Sequence, residues 1–274
     1  MTVEPGRPSI HFSHANGFPA GCYHKLFTYL APDYSVGAIE MIGHDPRYPV
    51  TDGWPHLTQQ LIDHLGARYR EPVIGVGHSL GGFLTFLAAI ARPELFRAIV
   101  LMDSPVLGFF KSTALAMSKT FGVIDRVTPA AGTRGRRSHF PSSEAAYMHF
   151  RTRKVFKRFD PQCLRDYIDK GTVGDGKGVR LAFDPAIEYR IYQTIPHDLY
   201  RFRGALRVPA GFMVGRDSRL VSAADLGYMK RAFGMRFSRV SGGHLFPFQF
   251  PQETAFKLNR LIGRLGASAT AGTP

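Results

Sequence analysis

A serine hydroxyl is a weak nucleophile at neutral pH. To attack a carbonyl it needs a base to take its proton and an acid to fix the tautomer of that base. The chain holds one serine in a setting built for this, within Gly77-His78-Ser79-Leu80-Gly81. The residues before it, Val73 to Val76, have the β-branched bias of a strand. Those after it, Phe83 to Arg92, have the length and Ala-rich composition of a buried helix. Strand, tight turn and helix together are the context in which G-x-S-x-G carries meaning. A turn this sharp strains Ser79 and leaves no room for side chains on its neighbours, hence the glycines. It lifts the hydroxyl above the sheet and aims backbone N–H groups and the positive end of a helix at the same point. The plain alternative is a glycine-rich turn with an incidental serine. The agreement of strand, motif and helix counts against it.

Four segments, GHSLGG, SHANGFPAG near the start, and GRDSRLV and SGGHLFPFQFP near the end, resemble the α/β-hydrolase superfamily. The resemblance spans about residues 8 to 265 and is weakest in the middle. It implies a mostly parallel sheet flanked by helices, with a helical lid inserted. It also implies a triad in the chain order serine, acid, histidine, which Ser79, Asp217 and His244 satisfy, each following a predicted strand. Asp103 also follows a strand and is the alternative acid; the Gly-Arg-Asp setting favours Asp217. The oxyanion donors implied are Leu80 N–H and, on alignment at Gly-Phe-Pro, Phe18 N–H. Alignment at His14 moves the second donor to Asn16 or Gly17. The side chains of His14 and Asn16 then serve to brace the loop. His78 is common beside the nucleophile and is read as structural.

The resemblance does not name a substrate, but absences narrow the chemistry. Serine rather than aspartate at the elbow argues against haloalkane dehalogenases and epoxide hydrolases. There is no His-Gly-Gly-Gly loop and no glycine- and proline-rich loop of the C–C bond hydrolases. What remains is hydrolysis of an ester or thioester of a small to medium acyl group through an acyl-enzyme. Cofactor-free perhydrolysis and a weakly catalytic or non-catalytic ligand-binding protein on the same scaffold are the alternatives. No cofactor motif is seen, and His139, His149 and His197 are too scattered to suggest a metal.

The elements that must hold these residues alternate strand and helix. Strands are predicted over Ser9–Ser13, Tyr34–Met41, Phe96–Met102, Val208–Val214 and Arg236–Val240. Helices are predicted over Trp54–Tyr69, with Asp52 as its N-cap, and over Val221–Phe233, with a C-terminal helix closing the chain. Such alternation implies a parallel sheet covered on both faces. Within Trp54–Tyr69, Leu57, Leu61, Ile62 and Leu65 fall at helical spacing, while His56 and His64 read as surface residues. From Val106 to Pro196 the pattern breaks into helical stretches, Ser143–Phe156 and Pro161–Lys170 among them, with a loop at Gly171–Gly178 and no clean sheet element.

Length and a 44% hydrophobic content suit one large α/β domain. The expected division is a core of residues 1–105 and 197–266, a lid of 106–196, and a disordered tail of 267–274. No apolar run reaches membrane-spanning length, and the first residues lack the apolar stretch of a signal peptide. Cys22 and Cys163 make neither a disulfide framework nor a zinc site, which fits a cytoplasmic protein with free thiols. The net charge is +14 and it is concentrated: residues 107–195 carry 16 Lys or Arg against 8 Asp or Glu, and 134–158 carry 8 against 1. An anionic group on a small-molecule substrate, an anionic membrane surface and nucleic acid all suit such charge. No nucleic-acid module is recognisable, and a solvated basic face is the plain reading. Oligomeric state is not legible.

Overall fold

The computed structural model describes residues 7–270. Among the described residues there are nine strands: β1 (Ser9–Ser13), β2 (Ser35–Ala38), β3 (Val73–His78), β4 (Phe96–Met102), β5 (His139–Phe140), β6 (Thr172–Gly174), β7 (Val179–Leu181), β8 (Ala210–Gly215) and β9 (Arg236–Val240). Six of them form one sheet in the order β2-β1-β3-β4-β8-β9, with every pairing parallel. Helices Pro55–Arg68, Leu80–Ala91, Ala223–Phe233 and Pro251–Thr270 flank it.

Parallel strands covered on both faces are apolar throughout rather than alternating. All six residues of β3 are buried, and in β4 only Arg97 is exposed. The period of two still sorts the side chains between two cores. Ile74, Val76, Val100 and Met102 join the cluster under the C-terminal helix with Leu26 and Leu258. Val73, Ile99, Leu101 and Phe212 join the opposite cluster with Leu57, Leu84 and Met229.

Because the strands run the same way, the loops after β1, β3, β4, β8 and β9 open at one edge of the sheet. Open parallel sheets bind ligands at that edge. Residues between β4 and β8 stay outside the sheet. They form helices including Phe109–Thr120, Ser143–Arg151, Pro161–Gly171 and Pro185–Gln193. They also form a small antiparallel sheet, β5-β7-β6. The sequence pattern gave no sheet element here, because two- and three-residue strands are too short to show a period.

Two other local expectations are corrected. Asp52 does not cap its helix: the N-cap is Trp54, in the left-handed region at φ 61°, and Asp52 pairs with Lys119 instead. The helix begun at Ser143 stops at Arg151. The C-terminal helix runs Pro251–Thr270, and residues 271–274 of the expected tail lie outside the described residues.

Candidate active site

Ser79 joins β3 to helix Leu80–Ala91 with φ 52° and ψ −116°, a conformation that L-residues avoid. The turn is tight enough to exclude side chains at its glycines. A Cβ on Gly77 would collide with the carbonyl of Gly81, and one on Gly81 with the carbonyl of Ser13. Surrounding bonds hold the strained residue. Ser79 N–H donates to Met102 O at 3.0 Å, and Ser104 Oγ donates to Ser79 O at 2.8 Å.

His244, in the loop after β9, places Nε2 3.1 Å from Ser79 Oγ. Its Nδ1 lies 2.8 Å from Asp103 Oδ2. Asp103 comes directly after β4, the neighbour of β3, and is fully buried. Its backbone is also in the left-handed region, at φ 50°. Ser218 Oγ donates to the same Oδ2 at 2.6 Å. This chain of hydrogen bonds can pass a proton from Ser79 to His244, with a carboxylate holding the imidazole.

The favoured acid, Asp217, is not part of that chain. Its carboxylate pairs with Arg158 Nη2 at 2.8 Å and is 53% exposed. Its N–H is tied to Gly242 O. The Gly-Arg-Asp segment still serves the site, through the Ser218 hydroxyl. Nothing local in Asp103-Ser104-Pro105 distinguishes a triad acid from a strand-end carboxylate. The folded course of the loops after β4 and β9 is what brings it to the histidine.

In the loop after β1 the hydrogen bonds narrow the candidate oxyanion donors by elimination. Phe18 N–H donates to Ala15 O at 3.1 Å within a turn, so the alignment on Gly-Phe-Pro does not leave it available. Ala15 N–H donates to Tyr23 Oη at 3.1 Å. Gly81 N–H donates to His14 O. Asn16, Gly17 and Leu80 N–H have no acceptor among the described residues. His14 braces the loop: Nδ1 donates to Ala15 O at 2.9 Å, and Nε2 accepts from Ile42 N–H at 2.8 Å. Burial pushes its pKa down to about 4.

His78, buried beside the nucleophile, connects two of these loops. Its Nε2 lies 2.9 Å from the His244 carbonyl, which can only accept, so the ring proton sits there. Nδ1 therefore accepts from Tyr23 O–H at 2.7 Å, and Tyr23 in turn accepts from Ala15 N–H. Burial, and then His244, hold the His78 pKa well below the usual imidazole value, as a neutral ring in this role requires.

Ser79 and His244 open into a cavity of about 740 Å³, within the range of small-molecule sites. One wall is apolar, with Phe18, Phe150, Phe156 and Leu245. Phe18 packs on Phe248 at 5.0 Å and on Tyr167 at 5.3 Å between ring centres. Another part is basic, with Arg136, Arg137, Arg153 and Lys154, against one carboxylate, Glu188. Arg151 is exposed and does not line it. Among the described residues there is no cluster of three His, Cys, Asp or Glu able to hold a metal, and no helix long and apolar enough to cross a membrane.

Known proteins resemble this chain at low identity. An abhydrolase domain-containing protein of Alternaria alternata is 23% identical over 230 residues, covering 68% of this chain and 81% of that one. A type I acyl-CoA thioesterase of Penicillium brevicompactum is 25% identical over 174 residues, covering 56% of this chain but only 37% of the longer relative. Among solved structures, E-2-(acetamidomethylene)succinate hydrolase superposes with a TM-score of 0.77 at 20% identity, covering 95% of this chain and 93% of that one. An M. tuberculosis esterase superposes with a TM-score of 0.71, also at 20% identity, covering 94% and 86%. The model of the alpha/beta hydrolase family matches residues 12–257, nearly the whole parallel sheet and every residue of the Ser79–His244–Asp103 chain, and the protein belongs to that family.

Proposed function

We propose that this hydrolase cleaves an ester or thioester through an acyl-enzyme on Ser79, with His244 as base and then acid, and Asp103 as the acid that orients it. The observation that carries this reading is the bond chain Ser79 Oγ–His244–Asp103 at the mouth of the cavity. Ser79 Oγ attacks the substrate carbonyl as its proton passes to His244 Nε2. The developing oxyanion accepts from Leu80 N–H and from the N–H of Asn16 or Gly17. As the tetrahedral intermediate collapses, His244 returns the proton to the departing alkoxide or thiolate. Water then repeats the sequence on the acyl-enzyme and frees the acid. The acyl-CoA thioesterase and the esterase among the related proteins support this class of reaction.

Residues 106–196 are the lid in this reading. They supply Phe150, Phe156 and the basic side chains of the cavity, so they set the substrate range. Four cations against one carboxylate favour an acyl or leaving group that carries negative charge. Both cysteines are buried and unbonded, which suits a reducing compartment such as the cytoplasm.

The test is an organophosphonate with mass readout, alongside turnover of short p-nitrophenyl esters. One adduct, on Ser79, and loss of turnover in Ser79→Ala are expected. An adduct elsewhere, or full turnover in Ser79→Ala, overturns the assignment.

A further inference from the structure

Glu188 is an unusual occupant of an acyl pocket. It is 3% exposed, lies on helix Pro185–Gln193 of the inserted segment, and faces the loop after β1. Two contacts join them. Asn16 Nδ2 donates to the Glu188 backbone carbonyl at 2.9 Å. The carboxylate itself rests against Gly17, where a Cβ would stand 2.5 Å from Glu188 Oε1. Gly17 is at φ +78°, so both its conformation and its missing side chain are used at this contact. Asn16 and Gly17 are the loop residues whose N–H groups have no acceptor among the described residues.

A negative charge so close to an oxyanion hole would oppose the charge that develops there. Arg136 answers it: Nη1 lies 3.1 Å from Oε1 and 3.0 Å from Oε2 of Glu188, both side chains being largely buried. Tyr167 and Tyr192 complete the surroundings, beside Arg136 and Asn16 respectively. The sequence gives no hint of this grouping, since Asn16, Arg136 and Glu188 are far apart in it.

We infer that Glu188 is a positioning residue for the oxyanion loop, its carboxylate packed on Gly17 while its backbone carbonyl holds the Asn16 side chain, and that Arg136 cancels the charge of that carboxylate. The inference rests on the acyl-enzyme reading above. It makes the lid part of the transition-state machinery as well as a cover. A well-placed oxyanion donor matters in the transition state and little in the ground state, so disturbing it lowers kcat more than it changes KM.

The experiment measures kcat and KM of a neutral p-nitrophenyl ester per phosphonate-titrated Ser79, with affinity for a boronic acid that mimics the tetrahedral state. In Glu188→Ala, kcat is expected to fall about 10- to 100-fold, less than the loss of a whole donor. KM should stay within about twofold, and boronate affinity should fall in step with kcat. Because that variant leaves Arg136 buried without its partner, Glu188→Ala with Arg136→Met is measured too, and the same kcat loss is expected. Arg136→Met alone should lower kcat, and adding Glu188→Gln, which keeps the shape and removes the charge, should recover most of it. Unchanged kcat per titrated site in the double Ala/Met variant, or a change confined to KM, overturns the inference. Absence of Ser79 labelling would instead refute the acyl-enzyme reading on which it stands, so the two failures are distinguishable.

Discussion

Replacing Asp103 by Asn tests which carboxylate serves His244. In the wild-type site Asp103 Oδ2 accepts from His244 Nδ1 at 2.8 Å and from Ser218 Oγ at 2.6 Å. An Asn amide nitrogen at that position turns an acceptor into a donor. His244 Nδ1 must then accept, and its proton moves to Nε2, facing Ser79 Oγ across 3.1 Å. Ser218 stabilises the altered arrangement, since its hydroxyl can accept the other amide hydrogen. The wrong tautomer in a comparable triad lowers kcat by about 10⁴, or roughly 5 kcal/mol. Asp217→Asn loses only an ion pair whose partners are 53% and 54% exposed, worth about 0–1 kcal/mol of stability, with kcat within about twofold. Turnover of a p-nitrophenyl ester by both variants, with folding checked by circular dichroism, makes the comparison. An inactive Asp217→Asn beside an active Asp103→Asn would refute the assignment.

Three more outcomes follow from the same geometry. His11 and His14 have pKa values pushed down by burial to about 3 and about 4. The unfolded chain therefore takes up protons first as pH falls below about 6.5, and the stability these rings contribute is fully present above that pH and lost below it; His14 alone accounts for about 3 kcal/mol by pH 4. Urea unfolding from pH 7 to 4 should show this decline, and a flat profile would contradict the buried neutral state. Efficiency on an anionic ester should fall with salt while that on a neutral ester of the same acyl chain hardly moves, and charge reversal at Arg153 and Lys154, which line the cavity, should shrink the difference; equal salt responses would return the charge to a solvated face. Tyr23→Phe leaves His78 Nδ1 and Ala15 N–H without their shared partner, so a stability loss of about 1–3 kcal/mol is expected in thermal unfolding, and an unchanged melting temperature would contradict the bridge.

The sequence by itself determined the sheet and pointed to Ser79 and His244 as partners in the candidate site. Runs such as Val73–Val76 and Phe96–Met102 are apolar because central parallel strands are covered on both faces. The glycines around Ser79 are legible because only a turn that excludes Cβ atoms needs them. These signals are local, written within a few residues. The acid of the triad is not local. Asp103 and Asp217 follow strands that adjoin in the sheet, and only the folded loops decide which one meets His244. The second oxyanion donor was open for a similar reason: the turn that occupies Phe18 N–H, and the Tyr23 hydroxyl that occupies Ala15 N–H, exist only once the chain is folded. The Asn16–Glu188–Arg136 group joins residues from the first loop and from two parts of the inserted segment. Its members pair because burial takes each charge and amide out of water, a condition that only tertiary packing imposes.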